Sequence, residues 1–150
     1  MVLFVSGRTD IIAFYTKWFL NRLNEGFVDV RKPFNPNLVS RINFNDVDLI
    51  LFCTKNPIPI VNDLAKIQKP FLFHVTITPY KNDIEPYAPS KTKVIEAVKE
   101  ISKQIGKENI VIRYDSIFIS DKYHLKRAFN RALIFCVHFI RVCEVLVLLK

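Results

Sequence analysis

Apolar and polar positions along this chain follow two periods, and the switches between them mark the elements. Residues 2–6 (VLFVS) form a short apolar run that reads as a first strand. Ile12, Tyr15, Phe19 and Leu23 then recur at spacings of three and four, which predicts a helix over 11–23, stopped by Glu25-Gly26. FVDVR (27–31) and VSRINF (39–44) alternate apolar and polar residues on either side of KPFNPN, the pattern of a hairpin. VDLILFC (47–53) is almost continuously apolar, as a strand buried on both faces should be. A short helix is predicted over 59–68, and FLFHVTIT (71–78) is the next strand. Ser90 can cap the following helix, in which Val94, Val98, Ile101 and Ile105 step by four, three and four before Gly106 closes it. NIVIRYD (109–115) reads as a strand, and Ser120 or Asp121 starts a helix reaching about 131.

Leaving the hairpin aside, the order is strand then helix, four times, which suits a parallel sheet. The expected fold class is therefore α/β: (β/α) repeats forming a partial, half TIM-like barrel with an inserted β-hairpin. A small open α/β sheet is the alternative. The expected division is a barrel part over 1–130 and an atypical apolar tail over 131–150. In ALIFCVHFIRVCEVLVLL (132–149) proline, glycine and lysine vanish, while His138, Arg141 and Glu144 interrupt the run. A membrane helix needs about 20 mostly apolar residues, and a central arginine costs about 2.5–3.5 kcal/mol on insertion. A continued core helix or strand is expected instead of a membrane span. A truncated or frameshifted product is the further alternative.

Composition narrows the classes. Half of the 150 residues are hydrophobic and three are glycine, which excludes disordered and fibrous chains. The formal charge of +8 favours acidic partners, from a small anion to nucleic acid, although the lysines are dispersed as on a solvated surface. Cys53, Cys136 and Cys143 show no metal-ligand spacing, so neither a disulfide framework nor a complete metal site is expected. The N-terminal apolar run is short and soon meets Arg8 and Asp10, unlike a signal peptide, so a cytoplasmic location is expected.

The polar residues gather where predicted strands end. Arg8, Thr9 and Asp10 follow the first strand. Thr54, Lys55, Asn56 and Pro57 follow LILFC. Thr76, Thr78 and Tyr80, then Asp83 and Glu85, follow FLFHV. Arg113, Tyr114 and Asp115 end the strand begun by NIVI. In parallel α/β architectures the carboxyl ends of the strands form one rim, where ligands bind. Arg8 and Arg113 can clamp an anion there, with Asp10 and Asp115 orienting them, and Lys55, Asn56, Thr78 and Tyr80 complete the expected pocket. Asp10 also suits a helix cap. Lys55 suits a phosphate contact, a proton-transfer group or a plain surface turn. TPYKNDIEP is turn chemistry first, and its carboxylates Asp83 and Glu85 are secondary acid–base or metal candidates. His74 alternates with apolar neighbours, as a core histidine does. If the hairpin folds over the rim, Arg31, Asn35 and Arg41 add donors to the same pocket.

Taken in order, SGRTDIIAFY, RKPFNPN with VSR, LFCTKNP, TITPYKNDIEP and GKENIVIRYDSIFISDKY resemble the prokaryotic domain of unknown function family 1848 over about residues 1–130. The chain departs at Gly7, where the family pattern usually has an arginine before the one matching Arg8. The family looks related to radical S-adenosylmethionine enzymes. The resemblance thus implies a (β/α) barrel and, in full-length relatives, a [4Fe–4S] cluster and S-adenosylmethionine, with the cysteine cluster near the C-terminus. Cluster ligation is not carried onto Cys53, Cys136 or Cys143. The chain is expected to be an N-terminal fragment of unknown substrate, inactive alone in cluster chemistry and holding no cofactor or metal of its own. A non-catalytic module binding a phosphate, nucleotide or nucleic acid is the competing expectation. Self-association through open sheet edges follows from a half barrel.

Overall fold

The computed structural model describes residues 1–114, together with the backbone of two short strands at 117–118 and 147–148. Four parallel strands make the main sheet: β1 (Val2–Phe4), β4 (Leu49–Thr54), β5 (Phe71–Thr76) and β6 (Ile110–Arg113). They lie side by side in chain order, β1-β4-β5-β6, with no reversal. Between β1 and β4 come helix α1 (Ile11–Glu25) and an antiparallel hairpin of β2 (Phe27–Lys32) and β3 (Asn35–Asn43). Helix α2 (Lys91–Ile105) connects β5 to β6, and β7 (Ile117–Phe118) pairs in parallel with β8 (Val147–Leu148). Among the described residues the sheet does not close into a barrel, and no helix is long and apolar enough to cross a membrane.

Local chemistry accounts for the boundaries. The Asp10 carboxylate accepts the Ala13 N–H at 2.9 Å and so caps α1. Gly26 ends that helix at φ +84°, donating its N–H to the carbonyls of Arg22 and Leu23. Thr16 donates its hydroxyl to the Ile12 carbonyl at 2.6 Å, a back-bond of the kind that bends helices, next to non-helical Tyr15. Ser90 caps α2 through the Lys93 N–H, and Val94, Val98 and Ile101 form its buried stripe.

Two expectations change. The helix predicted over 59–68 is instead a pair of 3₁₀ turns, Ile58–Ile60 and Leu64–Lys66. Asp63 sits between the two turns at φ −117°, ψ 4°, outside the helical region, and so separates them. The apolar spacing of the segment still works, because Ile60, Leu64 and Ile67 are all buried. The hairpin loop is also shorter than KPFNPN suggests: β3 begins at Asn35, opposite Lys32, across a register shift after Arg31. The helix predicted from Ser120 or Asp121 and most of the apolar tail lie outside the described residues.

The sheet has two unlike faces. Ile50, Phe52, Phe73, Val75, Ile110 and Ile112 point to one side and are buried against the helices. Phe52 stacks on Phe73 with ring centroids 4.9 Å apart and meets Phe19 of α1 edge-on at 5.5 Å. The alternate residues, including Leu51, Cys53, Leu72, His74, Val111 and Arg113, face the other way and are only half-buried.

Candidate functional site

The carboxyl ends of β4 and β5 hold the densest polar network. Asp10 is fully engaged there. Besides capping α1, its second oxygen accepts the Thr54 hydroxyl at 2.8 Å and the Lys55 N–H at 2.9 Å. Asp10 therefore ties the start of α1 to the end of β4, and its partners are these groups, not the Arg8 guanidinium. Thr54 is buried and its hydroxyl also accepts the Asn56 N–H at 2.9 Å, while the Asn56 side chain accepts the Ile58 N–H at 3.3 Å. Asn56 thus shapes the turn that presents Lys55.

Glu85 is the hub of the neighbouring cluster. One of its oxygens takes the Lys55 ammonium at 2.5 Å; the other takes Lys91 at 2.7 Å and the Thr78 hydroxyl. Lys91 also reaches the Thr78 hydroxyl at 3.3 Å. The Glu85 side chain is 12% exposed. Burial pushes its carboxyl upward, but the hydrogen bonds from Lys55, Lys91 and Thr78 and the Lys55 charge outweigh this and hold it at about 2. An open cleft of about 540 Å³ lies beside the cluster, between the 80–89 loop and the start of α2, lined by Tyr80, Asp83, Glu85, Ser90 and Lys91 among others.

A second polar group sits on the half-buried sheet face. Arg113 of β6 donates to the Cys53 sulfur of β4 at 3.1 Å, across His74 of β5, which pairs in register with Cys53. Thr76 is the register partner of Arg113. Strand alternation brings Cys53, His74, Thr76 and Arg113 to the carboxyl end of one face.

The expected rim residues thus divide among several places. Lys55 and Thr78 meet at Glu85, and Tyr80 lines the cleft beside them. Arg113 belongs to the Cys53 group. Arg8 turns away from both and donates to the Arg31 carbonyl at 2.6 Å, with Thr9 beside it. The other hairpin residues do not join the rim. Arg41 forms a two-bond pair with Asp29, both bonds 2.7 Å, and lies over the Phe27 ring at 4.1 Å. Asn35 accepts the Asn37 N–H within the hairpin at 3.2 Å. Asp115 lies outside the described residues.

Lys91 and the central place of Glu85 were not legible as site features. Lys91 sits in a first helical turn among other lysines, and Glu85 meets Lys55 across thirty positions of sequence. The only available signal was turn-rich TPYKNDIEP with its two carboxylates.

A [4Fe–4S] cluster requires several thiolates together. Among the described residues Cys53 is the one cysteine, its sulfur is engaged by Arg113, and no group of three metal-ligating side chains occurs. These residues do not fit a cluster. Cys136 and Cys143 lie outside the described residues.

No curated protein and no solved structure matches the chain. A family model described as Domain of unknown function (DUF1848) matches residues 2–145, which takes in most of the apolar segment beyond 130, and the chain belongs to that family.

Proposed function

We propose that the carboxyl-end rim of this sheet binds a small anionic ligand. The observation that carries this is convergence: Lys55, Lys91 and the Thr78 hydroxyl all meet at one carboxylate beside an open cleft. Lys55, Lys81 and Lys91 around the cleft against Asp83 and Glu85 leave a local excess of one positive charge, which favours a phosphate or carboxylate entering the cleft. Arg113, donating to Cys53 on the adjoining face, is a second anion contact for a larger ligand.

The architecture belongs to the same proposal. Four parallel strands in unbroken chain order are the arrangement of a (β/α) barrel, whereas a doubly wound sheet reverses its order. The four described strands then form part of such a barrel, in a chain related to radical S-adenosylmethionine enzymes, as its family resemblance implies. S-adenosylmethionine and a [4Fe–4S] cluster then belong to full-length relatives, and this chain is inactive in cluster chemistry. Anaerobic reconstitution yielding roughly one cluster per chain would overturn that part.

Titration with inorganic phosphate and with pyrophosphate at low salt, followed calorimetrically, tests the anion site. Saturable binding weakened about tenfold by Lys91→Ala is the expected outcome, since a charged hydrogen bond contributes about 1.5–3 kcal/mol. No heat at low salt would end the proposal. A non-catalytic nucleic-acid module is the second reading, favoured by the +8 charge. It requires an affinity that falls steeply with salt.

A further inference from the structure

The cavity between β1, α1 and the hairpin belongs to neither polar group. It measures about 400 Å³, within the range of small-molecule sites. Its walls are apolar: Leu3 and Val5, Trp18 and Phe19 of α1, and Val28 and Ile42 of the hairpin. The charge at its mouth is one-sided. Asp29 lines the cavity, but its carboxylate is taken up by Arg41 through two hydrogen bonds. Arg8 and Arg31 line it as well. One nitrogen of Arg8 donates to the Arg31 carbonyl, which fixes the guanidinium against the hairpin. That is the single protein hydrogen bond of its side chain among the described residues, so its other N–H donors remain open for a planar acceptor.

We propose that this cavity is a second ligand site, independent of the rim, for a small molecule with an apolar body and one carboxylate head. The body fills the space between Trp18, Val28 and Ile42. The carboxylate docks on the free edge of the Arg8 guanidinium. The two requirements hold together: an uncharged body leaves the guanidinium donors to water, and a bare anion leaves the apolar walls unfilled.

Trp18 is the chain's only tryptophan and half-exposed, so its fluorescence reports on the cavity directly. The full chain is titrated with 4-phenylbutyrate, with its uncharged counterpart 4-phenyl-1-butanol, and with inorganic phosphate. Saturable change in Trp18 emission is expected with the carboxylate, about tenfold weaker with the alcohol, and absent with phosphate. Arg8→Lys, which keeps the charge but not the fork, should weaken the carboxylate about tenfold while leaving the alcohol unchanged. Val28→Phe, which fills the space, should weaken both. Lys91→Ala should change neither, which separates this site from the rim. Equal affinity for carboxylate and alcohol, an Arg8→Lys chain that binds like the wild type, or no saturable change up to millimolar carboxylate overturns the proposal. Circular dichroism matching the wild type certifies each variant; where Arg8→Lys fails it, the carboxylate-to-alcohol ratio in the wild-type chain decides.

Discussion

Glu85 shows how one side chain can carry a site that no local pattern announces. Its carboxyl sits at about 2, well below its ordinary 4.5, because three donors favour the charged form more strongly than burial opposes it. A carboxylate whose folded value is depressed stabilises the fold above its unfolded value, and that contribution is lost as pH falls toward the folded one. The window is therefore about 4.5 down to about 2. Glu85→Gln cannot titrate, so its unfolding free energy should decline less across that window than the wild type's. At pH 7 it should be about 1–3 kcal/mol less stable, because Lys55 and Lys91 lose their shared partner. Urea unfolding at a series of pH values reads both effects. Asp29 and Asp48 are also held low, by the Arg41 hydrogen bonds and by the N-terminal ammonium respectively, but both are common to the two chains. A difference between the chains that stays flat with pH would show that the Glu85 cluster does not couple to folding.

At the scale of elements, Asp10 links helix to sheet. Its two oxygens accept from Ala13, Thr54 and Lys55, so it caps α1 and fixes the strand end that presents the rim. Asp10→Ala should cost about 2–3 kcal/mol, more than the ~1 kcal/mol typical of a lost cap, because the buried Thr54 hydroxyl loses its acceptor as well. Thermal denaturation reads this, and a loss no larger than an ordinary cap would mean that the strand tie contributes nothing. How much the sequence discloses follows the same local logic. Both long helices, their caps and the main strands are written in periodicity and in single residues such as Asp10, Gly26 and Ser90. The 3₁₀ turns at 58–66 are not, because burial at helical spacing looks alike whether the backbone continues as a helix or breaks, as it does at Asp63. Strand ends also predict a single rim, whereas side-chain direction divides it. Arg8 reaches the hairpin, Arg113 the second sheet face, and Lys55 the Glu85 cluster. Which way a long cation turns depends on partners tens of residues away, and no local spacing encodes that.

The whole molecule is governed by the unlike faces of its sheet. A parallel sheet is normally covered on both sides. Here one face is packed against the helices, while Leu51, Leu72 and Val111 on the other are only half-buried. β1 pairs with β4 along one edge, and among the described residues no strand lies on its other edge. Val2 and Phe4 on that strand are 63% and 50% exposed. Val2 and Phe4, in register with Leu49 and Leu51, carry the half-buried apolar face out to an edge that has no neighbouring strand among the described residues, so we propose that copies of this chain associate there. Val2→Lys places a charge on the edge without touching the core or the cavity beside Arg8. It should shift the chain toward monomer in sedimentation velocity at matched concentration, with the melting transition of the folded unit little changed. Phe52→Ala, by contrast, empties the packed face and should cost about 3–5 kcal/mol. A wild-type chain that sediments as a monomer at every concentration would remove edge pairing. The half-buried face would then have to be covered from within the chain, and charged substitutions at Leu72 would cost as much as truncating Phe52.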